Sequence, residues 1–151
     1  MTTILKGMLE VDIVVPNTSP FSSQVLLVIK KDGNRRFCVD YRTLNAINIL
    51  DWFPILTIDE LLDELGSAPI FSKIGLRLGY HQIRVDLANT HKTVFLTFDG
   101  HYEFLDMPFR LTNDTSTFHA AMNDLLMPHL RRFVLVFYDI LIYNTSFQDH
   151  L

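Results

Sequence analysis

The spacing of apolar side chains along this chain changes repeatedly between helical and alternating, and each change predicts an element. Ile4, Leu5, Met8 and Leu9 recur at helical intervals, so Thr2–Asp12 is expected to form a short amphipathic helix. The turn formers of Pro16-Asn-Thr-Ser-Pro20-Phe-Ser-Ser23 predict a loop. Val25–Ile29 and Arg36–Val39 read as strands around Lys31-Asp32-Gly33-Asn34, where Asp-Gly signals a hairpin because glycine takes positive φ freely. An irregular stretch is expected through Pro54. Thr57 and Glu60 then form a capping box ahead of Leu61, Leu62 and Leu65, and Gly66 suits a left-handed C-cap. Pro69–Ile74 predicts a strand and Gly79–Ile83 a short helical turn. Thr93–Phe98 and Tyr102–Leu105 flank a second Asp-Gly turn at Asp99 and Gly100. Phe118, Ala121, Met122, Leu125, Leu126 and Leu130 keep helical phase across Thr115–Leu130. Phe133–Tyr143 is two apolar runs hinged on Asp139, and Ser146–Leu151 predicts the start of another helix. Helices mixed with a majority of hairpins give an α+β class rather than a doubly wound parallel sheet.

Composition narrows this picture. With 151 residues, 48% of them hydrophobic, the chain suits one domain with a sizeable core. No solenoid-period repeat occurs, and the apolar runs are too short and too interrupted for a transmembrane helix. The first ten residues lack the apolar region of a secretory signal. Cys38 has no partner for an internal disulfide, which permits a reducing, intracellular setting without a membrane. A net charge of −4 argues against a generic nucleic-acid binder. Its distribution qualifies that: residues 30–42 hold five basic side chains against Asp32 and Asp40, a local +3, so the remainder carries −7. Local positive potential can attract phosphates on an acidic protein, although a solvated charged hairpin has the same composition.

Candidate chemistry centres on Asp139. A carboxylate at a hairpin tip between apolar strands is a poor choice for stability and a good one for holding a cation at a sheet edge. It has an upstream companion, Phe71-Ser-Lys-Ile-Gly75-Leu-Arg-Leu-Gly-Tyr80-His-Gln-Ile83. The pair resembles the two metal-binding segments of reverse transcriptases of gypsy-type retrotransposons, which usually read F-S-K-L-D-L-R-S-G-Y-H-Q and F-x-D-D-I-L-I-Y. Further segments follow in the family's order: Ser19-Pro-Phe-Ser-Ser23, Val28-Ile-Lys-Lys-Asp-Gly33, Arg36-Phe-Cys-Val-Asp-Tyr-Arg-Thr-Leu-Asn45, Gly100-His-Tyr-Glu-Phe104, Met107-Pro-Phe109 and Leu111-Thr-Asn113.

The resemblance implies a fingers–palm fragment of a right-hand polymerase, with an antiparallel palm sheet and packed helices. Residues 8–68 and 84–107 would be mainly fingers, and 69–83 and 108–151 mainly palm, with thumb and ribonuclease H regions absent. It implies RNA-directed DNA polymerase chemistry on an RNA or DNA template-primer and deoxynucleotide triphosphates, with Mg²⁺ or Mn²⁺. Lys31 and Arg36 match fingers residues that hold the incoming triphosphate. Tyr80 matches an aromatic beneath the nucleotide sugar, and Phe109 and Arg110 lie in the adjoining nucleotide segment. Asp40, Arg42 and Asn113 fall at template-side positions, where Asp40 and Arg42 either contact template or pair internally. Each has a plainer reading: Lys31 and Arg36 as surface charge, Tyr80 as core packing.

The departures fall on the chemistry. Gly75 stands where the first segment has its aspartate, and Asp139 alone replaces the aspartate pair, which shortens the hairpin tip. Arg110 replaces a glycine in M-P-F-G-L-T-N-A-P-A-T-F-Q, and Thr115 replaces its proline. Together they predict a truncated, degenerate copy without polymerase activity. The rival readings are residual polymerase activity and a module repurposed for nucleic-acid or protein binding. The six histidines lack zinc-like spacing, and they and Cys38 read as packing or polar residues.

Overall fold

The computed structural model describes residues 2–29, 31, 33, 35–76, 79–137 and 139–150. Lys30 and Asp32 of the basic hairpin, Arg77 of the upstream segment, Tyr138 beside Asp139 and Leu151 at the end of the last predicted helix lie outside the described residues. Amphipathic periodicity at the start gives α1 (Thr2–Glu10), followed by β1 (Val14–Pro16), β2 (Ser23–Ile29), β3 (Arg35–Val39), α2 (Arg42–Ile47) and α3 (Ile58–Leu65). Then come β4 (Ile70–Ile74), β5 (Phe95–Thr97), β6 (Gly100–Phe104), α4 (Asp114–Leu126), β7 (Val134–Val136) and β8 (Ile140–Asn144). Short 3₁₀ turns occupy Gly79–Gln82 and Thr90–Thr93. The mixture is α+β, as the sequence predicts.

These elements form two compact units. The first comprises Met1–Leu50 and Gly79–Asp114, the second Asp51–Leu78 and Thr115–Leu151. Residues 51–68 therefore group with the later sheet, and 79–83 and 108–114 with the earlier one.

The first unit is built on a five-stranded sheet of order β1-β6-β5-β2-β3. All its pairs are antiparallel except β2 with β5. The β2–β3 hairpin pairs Ile29 with Arg35, and Gly33 in its loop has φ +80°, the conformation for which glycine suits the turn. Leu5, Val14, Val39, Tyr41, Phe95 and Phe104 form the core. Phe95 meets Phe37 edge-on at 5.3 Å and Phe104 at 5.1 Å between ring centres. Two polar groups are buried without leaving bonds unmade. The Tyr41 hydroxyl donates to the Thr93 carbonyl at 2.8 Å, and the Thr93 hydroxyl donates to the Thr90 carbonyl at 2.7 Å. Burial raises the Tyr41 phenol well above its usual range.

The second unit carries a fully antiparallel three-stranded sheet, β4-β8-β7. Val134, Leu135 and Val136 are all buried, matching their continuous apolar run. The capping box of α3 forms as predicted: the Glu60 amide donates to the Thr57 hydroxyl at 3.3 Å and the Thr57 amide to the Glu60 carboxylate at 2.8 Å. Such a cap is worth about 1 kcal/mol.

Several expectations need correction. Helix α2 occupies part of the stretch expected to be irregular; its N-cap is Tyr41, which offers no side-chain cap bond and so no sequence signal. Helix α4 stops at Leu126 rather than Leu130, because Pro128 disfavours helical backbone at Met127. Gly66 has positive φ but ψ −127°, so the cap is not left-handed helical. Residues 146–150 form turns instead of a helix, with the Asp149 amide donating to the Ser146 hydroxyl at 3.2 Å.

Candidate active site

Within the second unit, strand register decides what faces Asp139. Ile74 of β4 pairs with Ile140 of β8, so one step further places Gly75 opposite Asp139. A Cβ built on Gly75 would lie 3.5 Å from Asp139 Oδ1, an ordinary van der Waals approach. The two positions expected to share a site are thus neighbours. Val136 also pairs with Ile140, which puts Phe137 and Asp139 at the hairpin tip, where the Phe137 amide donates to the Asp139 carbonyl at 3.1 Å.

The charge at this tip is balanced by a side chain the sequence reading did not single out. Lys73 Nζ lies 2.7 Å from Asp139 Oδ2, with the two side chains 68% and 32% exposed. At that exposure the pair is worth about 0–1 kcal/mol. Lys73 and Gly75, two residues apart in extended backbone, share a face, but only the β4–β8 register shows which side chain Lys73 meets. Mg²⁺ or Mn²⁺ takes several carboxylate or other hard oxygens. Gly75 supplies no side-chain oxygen, and the Asp139 carboxylate is already paired with an ammonium. Among the described residues no cluster of three or more His, Cys, Asp or Glu could hold a metal ion. The donor set does not fit the divalent ion that the sequence resemblance implies.

Behind the tip, His119 of α4 is 3% exposed and meets Phe137 edge-on at 6.4 Å. Burial holds its imidazole below the usual pKa. His150 contacts Ser72 through Nε2 at 2.7 Å and the Asn144 amide through Nδ1 at 3.3 Å, tying the 146–150 turns to β4. Both behave as the packing and polar histidines expected.

The first unit gathers a different set. Arg36 from β3, Tyr80 and His81 from the 3₁₀ turn, Phe109 and Arg110 from the loop before α4, and Asp114 at the start of α4 line a cavity of about 370 Å³. Tyr80 and Phe109 rings lie 5.1 Å apart, and His81 meets Phe109 edge-on at 5.1 Å. Among the described residues, none offers the buried His81 Nδ1 a hydrogen bond. Burial lowers the pKa of its ring, opposed by nearby Asp106. Lys31 sits exposed on the β2–β3 turn and does not line this cavity.

Arg110 adopts φ +74°, a left-handed conformation that favours glycine. Its loop is pinned on three sides: Asn45 Nδ2 donates to the Arg110 carbonyl at 2.8 Å, the Thr112 amide to Asn45 Oδ1 at 2.9 Å, and the Arg110 amide to Asp114 Oδ2 at 2.9 Å. The strain is therefore held in place by neighbouring bonds.

The template-side candidates make internal bonds. Arg42 grips Asp40 through Nε at 2.9 Å and Nη2 at 2.6 Å. These bonds from Arg42 pull the Asp40 carboxyl down to about 2. Asn113 donates to the Ile49 carbonyl at 2.8 Å.

The family model described as reverse transcriptase (RNA-dependent DNA polymerase) matches residues 28–151. The retrovirus-related Pol polyprotein from transposon 297 of Drosophila melanogaster is 41% identical over 153 residues, covering 97% of this chain and 14% of that protein. That from transposon gypsy is 34% identical over 154 residues, covering 97% and 15%. An RNA-directed DNA polymerase homolog of Oenothera berteroana is 41% identical over 120 residues, covering 77% of this chain and 84% of the homolog. The chain thus spans about one-seventh of the transposon polyproteins and most of the plant homolog. In fold, it matches a crystal structure of prototype foamy virus protease-reverse transcriptase with TM-score 0.87 at 21% identity, covering 99% of this chain and 20% of that one. A foamy viral protease-reverse transcriptase in complex with RNA/DNA hybrid matches with TM-score 0.83 at 19% identity, covering 99% and 20%.

Proposed function

The chain belongs to the reverse transcriptase family, and from that membership we propose that it keeps a nucleotide-binding fingers surface while its palm no longer performs metal-dependent nucleotidyl transfer. The five-stranded sheet corresponds to fingers and the three-stranded sheet to palm. The observation that carries the reading is Gly75, facing Asp139 across the β4–β8 pair with room for a side chain and none present.

Nucleotidyl transfer in this family draws on a pair of divalent cations, which would need carboxylates on the two palm segments to hold them and would supply positive charge for the reacting phosphate oxygens. Holding two dications side by side would need several anionic oxygens to offset their repulsion. Asp139 brings one carboxylate, and Lys73 already neutralises it.

The remaining functional side chains serve recognition. Arg36 offers a planar fork and Lys31 a mobile point charge to the phosphates of a deoxynucleotide triphosphate. Tyr80 and Phe109 supply an aromatic surface for the sugar and base. Arg110 occupies space that a glycine would leave to the nascent base pair. A template-primer is the macromolecular partner, with Asp40, Arg42 and Asn113 on its side; the foamy viral complex with RNA/DNA hybrid supports that partner class.

Primer extension on a primed RNA template with Mg²⁺ or Mn²⁺ tests the reading. The unmodified chain is expected to add no nucleotide, Gly75→Asp to remain inactive, and an added aspartate after Asp139 to give at most a trace. Robust extension by the unmodified chain, abolished by Asp139→Asn, would show that the carboxylate losses have been misjudged.

A further inference from the structure

We propose that Lys73 is the built-in counter-ion of Asp139, so that the hairpin is charge-balanced without a divalent cation and Lys73 competes with any metal offered there. The proposal rests on reading this hairpin as an altered palm metal site.

Strand geometry places the pair. Lys73 and Gly75 share one face of β4, as Leu141 and Asp139 share one face of the β8 line. Lys73 pairs directly with Leu141, which makes Asp139 its diagonal neighbour, at a separation a long side chain spans. The ammonium completes that reach at 2.7 Å from Oδ2.

The two oxygens of Asp139 are thereby divided: Oδ2 holds Lys73, while Oδ1 faces the open space above Gly75. With glycine at 75 the carboxylate and ammonium cancel. An aspartate there would leave one uncompensated negative charge, and removing Lys73 as well would leave two. Attraction for a dication scales with that local charge, so metal affinity should rise in the same order. Position 75 can accept the change, because the nearest atom to its built Cβ lies at ordinary contact distance and its φ is not positive.

The test is Mn²⁺ binding to the full chain, followed by electron paramagnetic resonance of free Mn²⁺. It compares the unmodified protein with Lys73→Gln, Gly75→Asp and the double variant. The unmodified chain should bind least, and the double variant at least about tenfold more tightly than Gly75→Asp alone. Lys73→Arg in the Gly75→Asp background, which keeps the cation, should restore the weaker binding. As a second readout, acetylation of Lys73 by acetic anhydride, quantified by mass spectrometry, should quicken about threefold in Asp139→Asn as the ion pair is lost.

Equal Mn²⁺ affinity in Gly75→Asp and the double variant, including none in either, overturns the counter-ion role, as does an unchanged acetylation rate. Tight Mn²⁺ binding by the unmodified chain that disappears in Asp139→Asn has a different meaning. It overturns the prior reading of the hairpin as an altered metal site.

Discussion

Phe95 and Phe71 are strand phenylalanines in different units, and their surroundings have little in common. Phe95 is 0% exposed, in a core to which α1 and the strands of its sheet contribute; Phe71 is 64% exposed on β4. The cavity residues of the first unit hang from that core: Arg36 lies between Arg35 and Phe37 on β3, and Phe104 lines the cavity while packing against Phe95. On the second unit's hairpin the Lys73 and Asp139 side chains are 68% and 32% exposed, beside a Gly75 that has no side chain to pack. That difference lets the fold stand whatever side chains the hairpin tip carries.

The comparison breaks first at the two phenylalanines. Phe95→Ala should cost about 3–5 kcal/mol in denaturant unfolding, enough to unfold a marginal domain. Phe71→Ala should cost less than about 1 kcal/mol. Similar losses at both would mean that β4 is covered in solution.

Acid sharpens the comparison next. His119 has a folded pKa held below its unfolded value by burial, so its neutral form favours the fold. The stability it contributes is present above about pH 6.5 and is lost as pH falls below that value toward the depressed folded pKa. His81 acts in the same direction in the first unit. Unfolding free energy should therefore decline from pH 7 to pH 5, with a shallower slope in His119→Gln. Parallel slopes in the two proteins would remove His119 from the account.

Arg110 gives a smaller effect of opposite sign. Restoring glycine where φ is +74° should raise stability by about 1 kcal/mol by relieving left-handed strain. A loss on Arg110→Gly would mean that side-chain contacts of the arginine outweigh the strain.

Much of this was legible in the chain, for reasons particular to each residue. Gly33 marked the β2–β3 turn, Thr57 and Glu60 marked the start of α3, and the apolar runs on either side of Asp139 marked the hairpin that β4 joins. Helix α2 was not legible, because six residues starting after Tyr41 carry neither a cap nor a full amphipathic period. The end of α4 was legible and misread: Pro128 speaks against helix at Met127 more strongly than Leu130 speaks for it. At the site, residue identity revealed the departure at Gly75 but not the partner of Asp139. A lysine on an exposed strand carries no mark of its partner, and the Lys73–Asp139 pair needed the β4–β8 register to become visible. The same holds for Asp40 and Arg42, whose internal pairing the sequence left open.

The central claim is that recognition persists where chemistry has gone. One experiment counts both: labelled deoxynucleotide triphosphate is mixed with the chain and a primed RNA template at low salt with Mg²⁺, and bound and incorporated nucleotide are measured in the same sample. The account predicts bound nucleotide and no incorporation, with binding weakened when Lys31 and Arg36 are both neutralised, most strongly at low salt where phosphate attraction is least screened. Incorporation by the unmodified chain, or equally weak binding by the unmodified and doubly neutralised chains, would contradict it.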